Sequence, residues 1–226
     1  MSAEPLPSKL GAGIPALPVK PRLRGHLHQW AFVAFLIADV VLIACADNTK
    51  GRVAASIYAA AVCALYGTSA LYHRRTWQPK ARAVMRRLDH SMILVLIAGT
   101  YTPFALLLLH GTTSTVILAS VWGGALAGIA MRMLWLAAPR WAVIPPYLLV
   151  GWIALFVLPE LLHAGGVATL VLVAGGGLIY SLGAVVYATK RPDPWPKTFG
   201  YHEVFHLMTI LAGVMMYIAI SFAVYR

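Results

Sequence analysis

The sequence has few charged residues, and acidic ones are the scarcest. Only 11% of its 226 residues are charged, with seven Asp and Glu in total, whereas 60% are hydrophobic. A typical soluble domain carries about 25% charged residues, so this composition excludes an ordinary water-soluble protein. The chain is predicted to be an all-α, polytopic membrane protein, since apolar runs of about 20 residues are what a helix needs to cross a bilayer.

Cysteines are also scarce, and no cleavable signal is evident. The only two, Cys45 and Cys63, lie inside apolar segments, which argues against a disulfide framework. Residues 1–25 contain five prolines and no apolar run of signal-peptide length. They are therefore predicted to form a disordered cytoplasmic tail, and residues 26–226 a single transmembrane domain.

Seven apolar runs of about bilayer-spanning length follow this tail. They are roughly Trp30–Ala46, Val53–Tyr72, Ser91–Leu109, Thr115–Leu136, Trp141–Leu158, Val167–Ala188 and Val204–Tyr225. The pattern predicts a bundle of seven transmembrane helices.

The basic residues indicate orientation rather than a nucleic-acid partner. The net charge is +11, but of the 18 Lys and Arg residues only Lys50, Arg52 and Arg226 fall on one side of the predicted bundle. The other 15 lie in the tail and around the second, fourth and sixth connections. Positive charge accumulates on the cytoplasmic side of membrane proteins, so the N-terminus is predicted to be cytoplasmic. The expected partners are membrane lipids and not nucleic acid.

Five polar side chains share one predicted depth near the cytoplasmic face. Ser69 and His73 end the second run, Asp89 precedes the third, and His202 and His206 open the seventh. Residues four apart lie on one face of a helix, and polar groups at membrane depth are costly and tend to be paired or functional. Three imidazoles with an open fourth position form a zinc arrangement that activates water. The alternative is that these are interfacial side chains reaching out to water.

The segment HEVFH, residues 202 to 206, also matches the HExxH pattern of zinc metalloproteases. Only 20 residues follow His206, and they contain no His, Asp or Glu. A third ligand must therefore come from upstream, and the later Asp of an intramembrane protease is missing. Glu203 points about 100° away from His202 on a helix and is predicted to face the interface or a basic loop. A protease is not favoured.

Four further ionisable residues receive weaker predictions. His26 and His28 are assigned to the juxtamembrane part of the tail, and His90 to a structural position near the headgroups. Asp39 falls inside the first apolar run, where a carboxylate is expensive, and no partner can be assigned to it from the sequence.

The run SALYHRRTWQPKARAVMRRLDHSMILVLIAGTYTPFALLLL, residues 69 to 109, together with HEVFH, resembles the bacterial hemolysin III family. This family is a branch of the progestin and adiponectin receptor group, within a superfamily that includes alkaline ceramidases. The resemblance implies a seven-helix bundle in the bacterial inner membrane, with a zinc ion near the cytoplasmic side. It implies that His73, His202 and His206 are the metal ligands, that Asp89 holds a metal-bound water, and that Ser69 lies close to it.

Three functions remain open from the sequence. The first is a zinc-dependent, ceramidase-like hydrolase of a membrane lipid amide or ester. The second is a receptor-like regulator of membrane homeostasis in which zinc is structural. The third, a pore-forming hemolysin, is least favoured because no helix carries a regular polar stripe to line an aqueous path.

Overall fold

The computed structural model describes residues 20–135 and 138–226, which form helices and short connections without a strand. Residues 1–19 of the predicted tail, and Leu136 at the end of the predicted fourth run, lie outside the described residues. The helices are α1 (His26–Ala44), α2 (Thr49–Arg74), α3 (Pro79–Leu107), α4 (Gly111–Leu134), α5 (Arg140–Gly151), α6 (Leu158–Thr189) and α7 (Tyr201–Val224). A short 3₁₀ helix, Trp152–Val157, joins α5 to α6.

Local sequence signals explain where several helices begin. The Asn48 side chain accepts a hydrogen bond from the Gly51 amide at 2.8 Å and caps α2. Pro79 occupies the first position of α3, where its missing N–H has no intrahelical partner to lose. Because α3 begins there, about twelve residues before the predicted third run, the basic residues before Asp89 are helical rather than part of a loop. Asp89 thus lies ten residues, or about 15 Å, into α3.

The predicted membrane architecture is confirmed in its coarse form. Within the described ranges, six helical segments are long and apolar enough to span a bilayer. One of them, Ala142–Thr189, is 48 residues long and covers the predicted fifth and sixth runs together. Seven separate spans and the cytoplasmic N-terminus are therefore not confirmed.

That long segment reverses direction at Gly166. Gly166 has φ 79° and ψ 173°, which is not helical and is accessible mainly to glycine. Trp152 and Ser181 lie at similar distances before and after it in sequence, and the Trp152 indole N–H donates to the Ser181 hydroxyl at 2.9 Å. The two arms of the segment therefore run side by side.

Helices α2, α3 and α7 are the most enclosed of the bundle, and they carry the five predicted site residues. A Cβ atom on Gly51, near the start of α2, would lie 3.6 Å from the Val224 carbonyl oxygen at the end of α7. The two helices are antiparallel, and moving 22 residues along each (51 to 73 and 224 to 202) reaches His73 and His202. The bundle end that contains these histidines is called the site end below.

Candidate metal centre

Three histidines converge at the site end. His73 lies in the last turn of α2, and His202 and His206 lie four residues apart near the start of α7. Each offers one ring nitrogen, and these three nitrogens all lie within 4.8 Å of one another. The Nε2 atoms of His73 and His202 are 3.2 Å apart. This spacing brings three imidazole donors around a single point.

Asp89 and Ser69 lie beside this histidine cluster. The Oδ2 atom of Asp89 is 3.9 Å from Nε2 of His73. Ser69 lies one turn before His73 on α2, is 2% exposed, and is within hydrogen-bonding reach of Asp89. The structure therefore brings all five predicted site residues together, with the carboxylate next to the imidazole group rather than within it.

The donor set fits a zinc ion. Imidazole nitrogens suit zinc and neighbouring transition metals, whereas Mg²⁺ and Ca²⁺ prefer oxygen ligands. His206 is 2% exposed, and its Nδ1 atom has no hydrogen-bond partner among the described residues. A buried polar atom without a partner costs about 1–3 kcal/mol. A metal ion or a hydrogen-bond donor at Nδ1 of His206 would remove this cost. His73, His202 and His206 would supply three ligands and leave one position open.

A fourth histidine belongs to the cluster, and the sequence-based assignment of His28 to the tail is wrong. His28 is in the first turn of α1 and only 3% exposed. Its ring stacks on that of His206, with centroids 3.7 Å apart and planes 9° from parallel. Its Nδ1 is hydrogen-bonded to the Ser69 hydroxyl at 2.8 Å and its Nε2 to the Thr209 hydroxyl at 3.1 Å. His28 therefore ties α1 to both α2 and α7 beside the metal ligands.

The helix face that His28 shares with Asp39 is the sequence signal that could have identified His28 as a buried residue. The buried face of α1 contains His28, Ala31, Phe35, Asp39 and Leu42. His28 and Asp39 are eleven residues apart, about three turns, and so share that face. Asp39 is 1% exposed, and neither carboxylate oxygen has a hydrogen-bond partner among the described residues.

Glu203, which the sequence assigns to the interface or a basic loop, is fully buried and meets a basic residue rather than the interface. One carboxylate oxygen accepts a hydrogen bond from the Gly200 amide at 2.9 Å and caps α7. The other forms an ion pair with the guanidinium of Arg24. Because both oxygens are engaged, Glu203 is not placed to act as the general base that HExxH supplies in metalloproteases.

The residues just before α1 lie across the site end. The Arg22 and Leu23 amides donate to the carbonyl oxygens of Lys197 and Thr198 at 3.0 and 3.1 Å. Gly25 has φ 82°, and a Cβ atom there would lie 2.8 Å from Cβ of His73. A left-handed glycine thus lets the chain pass directly against a candidate metal ligand.

An apolar cavity adjoins the histidine cluster. It has a volume of about 170 Å³ and extends from Asp89 and His202 to Met216, ten residues along α7 from His206. A second cavity of about 70 Å³ shares Met216 and Trp152 with the first and continues to Leu161. Most of the surface that lines the two cavities is apolar, so the cluster stands at one end of a hydrophobic space inside the bundle.

An all-helical membrane bundle with three convergent histidines beside an internal apolar cavity defines the class of this protein. Comparison with known proteins gives the family. Residues 18–217 match the family described as Haemolysin-III related. The chain belongs to the haemolysin III family, which confirms the resemblance noted in its sequence.

Curated relatives agree with this membership. The chain is 31% identical to Hemolysin-3 of Bacillus cereus over 172 residues, 76% of this chain and 75% of that protein. It is 31% identical to a Hemolysin-3 homolog of Bacillus subtilis over 169 residues, 74% of this chain and 75% of that protein. Human monocyte to macrophage differentiation factor is 24% identical over 208 residues, 89% of this chain and 83% of that protein.

Proposed function

We propose that this protein is a zinc-dependent hydrolase that cleaves an amide or ester bond of a membrane lipid. The observation that carries the proposal is the position of the histidine cluster at one end of the apolar cavity. A lipid chain lying in that cavity would present its carbonyl group to the cluster. A metal ion held only for structure has no need of such a cavity.

Each residue of the site would have a separate role in hydrolysis. His73, His202 and His206 would hold the zinc ion, which when bound would acidify a coordinated water and polarise the substrate carbonyl. Asp89, 3.9 Å from His73, orients the attacking water and accepts its proton. Ser69 lines the cavity together with Asp89, and His28 holds the Ser69 hydroxyl by a hydrogen bond. Ser69 is a supporting residue rather than a nucleophile, because its histidine neighbour also bonds Thr209 and stacks on a ligand.

A second candidate is a regulator in which the same zinc is structural. The name of the human relative, a differentiation factor, favours this function. The names of the Bacillus relatives favour membrane damage, but the apolar lining of the cavity is unsuited to an aqueous pore. A structural zinc predicts bound metal and no released product.

Release of fatty acid from defined lipids is the decisive measurement. Purified protein in detergent or nanodiscs should release free fatty acid from an N-acyl or O-acyl lipid when loaded with zinc. Removal of the metal with a chelator should abolish release, and added zinc should restore it, since the ion supplies the activated water. Full zinc occupancy without release from any acyl lipid tested would favour the structural-zinc regulator.

We further propose seven crossings of a bacterial inner membrane with the N-terminus in the cytoplasm. A straight helix of the length of Ala142–Thr189, 48 residues, would measure about 72 Å, more than twice the roughly 30 Å hydrocarbon core. The reversal at Gly166 supports two crossings within that segment. Helical spans are also unlike the β-barrels of bacterial outer membranes.

Reporter fusions test this topology. A reporter active only in the cytoplasm should work when fused after Gln78 and fail when fused after Arg226, while a periplasmic reporter should behave in the opposite way. The basis is the 15-to-3 distribution of Lys and Arg over the two sides. If both fusions report the same compartment, an even number of crossings follows α2 in place of the proposed five, and the proposed topology is wrong.

A further inference from the structure

Two arginines near the site end each have a buried Nε atom without a hydrogen-bond partner among the described residues. Arg132, in the last turn of α4, is 4% exposed. Arg87 lies on α3, two residues before Asp89, and is half-buried. The Nε atom of each is buried and has no hydrogen-bond partner, and neither arginine forms an ion pair within residues 20–135 and 138–226. A chain with seven acidic residues offers few carboxylates to pair with them.

Helix packing brings Arg132 to the level of His90. A Cβ atom on Gly128 would lie 2.7 Å from Cδ1 of Leu94, so α4 and α3 meet there. One turn further along each antiparallel helix lie Arg132 and His90. Arg132 is within electrostatic range of the His90 ring, which is consistent with this register.

One more contact and one shared helix face complete the group. The Tyr147 hydroxyl, on α5, donates to the His90 carbonyl oxygen at 3.3 Å and is also within electrostatic range of Arg132. Arg87 lies three residues before His90, on the same face of α3. We call Arg87, His90, Arg132 and Tyr147 the basic cluster; it joins the site ends of α3, α4 and α5.

The basic cluster borders the apolar cavity. His90 and Tyr147 both line the cavity, as does Asp89 beside the candidate metal ligands. A molecule whose apolar chain occupies the cavity would therefore have its polar end between the histidines and the two arginines. The basic cluster therefore lies where the headgroup of a lipid in the cavity would be.

Burying Arg132 without a counter-charge is expensive, and a bound anion would offset the cost. The half-buried Arg87 would add a second positive charge. The penalty for an enclosed, unpaired ion in a protein is several kcal/mol, and arginine is costly within a membrane-spanning helix. The planar guanidinium matches phosphate oxygens in bidentate geometry, which makes arginine the preferred side chain for phosphate recognition. The tyrosine hydroxyl adds a neutral donor.

We propose that the basic cluster binds the phosphate of an anionic phospholipid headgroup whose acyl chain enters the cavity. This rests on the proposed function for the position of the chain and adds the class of lipid that is recognised. Inorganic phosphate offers the same oxygens, but it would leave the adjoining apolar cavity unused.

Equilibrium binding tests the proposal without requiring hydrolysis. Chelator-treated protein in detergent is titrated with phosphatidylglycerol and with diacylglycerol of the same acyl chains, and bound lipid is counted by native mass spectrometry. The wild type should prefer phosphatidylglycerol by about tenfold or more, because a hydrogen bond to a charged group contributes roughly 1.5–3 kcal/mol. Arg132→Gln and Arg87→Gln should each lose most of the preference, and Arg132→Lys should retain part of it.

Arg191→Gln is the matched control. Arg191 is exposed in the connection between α6 and α7, so this variant should keep the wild-type preference. Equal preferences in Arg191→Gln, Arg87→Gln and Arg132→Gln, or no preference in the wild type, would overturn the proposal. Competition by millimolar inorganic phosphate in a wild type that does not prefer phosphatidylglycerol would assign the cluster to a free anion and overturn the lipid assignment. Because zinc is absent from every titration, the binding result can be interpreted whether or not the protein hydrolyses lipids.

Discussion

Replacing His202 with alanine is expected to remove zinc almost completely from the purified protein. The variant retains two of the three converging imidazoles, His73 and His206. A structural zinc site with four ligands contributes about 10–16 kcal/mol, so one ligand accounts for roughly 3 kcal/mol, or about 100-fold or more in affinity. Loss on this scale should leave substoichiometric metal after purification without added zinc.

The measurement is metal content per chain by elemental analysis, with folding checked by thermal unfolding. His163→Ala is the matched control, because His163 is exposed at the opposite end of the bundle from the cluster. It should retain the zinc content of the wild type. Zinc bound to His202→Ala in the same amount as to the wild type would show that the metal is held elsewhere.

Replacing Asp89 with alanine is expected to affect turnover far more than metal binding. Asp89 lies beside the three converging nitrogens, with its Oδ2 atom 3.9 Å from Nε2 of His73. Partners outside the ligand set typically change metal affinity by about 10–100-fold, and a general base contributes about 10²–10⁴-fold in rate. The variant should therefore retain zinc at saturating concentration while fatty acid release falls by about 100-fold or more.

The informative comparison is zinc content against fatty acid release in the same preparations. Asp89→Asn preserves the shape of the side chain and removes its negative charge, so it should lose turnover as Asp89→Ala does. Asp47→Asn, at an exposed position in the α1–α2 connection, is the control for loss of one carboxylate. Equal loss of metal in the Asp89→Ala and His73→Ala variants would instead make Asp89 a direct ligand.

Much of the candidate site could be predicted from the sequence because its signals are local. Ser69 and His73, and likewise His202 and His206, are four residues apart, which fixes their shared faces once the segments are helical. The strong hydrophobicity of the chain makes those segments membrane helices, and the alternation of the connections assigns both pairs and Asp89 to one depth. None of these inferences needs a contact between distant residues.

The boundaries and the surroundings of the site needed the tertiary structure. The break at Gly166 depends on a single backbone conformation within a continuous apolar stretch, and hydropathy alone cannot locate it. The start of α3 at Pro79 was missed because a charged first turn resembles a loop when only apolar runs are counted.

Sequence alone thus determined the family, the helical membrane class and five residues at one depth, because hydrophobic runs and four-residue spacings are properties of short segments. Tertiary structure decided that His28 stacks on His206, 178 positions away (206 − 28). It also decided that Glu203 pairs with Arg24, 179 positions away (203 − 24). It also created the cavity and the basic cluster, which exist only between helices. Contacts at such separation depend on how the helices pack, and an apolar helix carries little periodic signal of which side faces its neighbours.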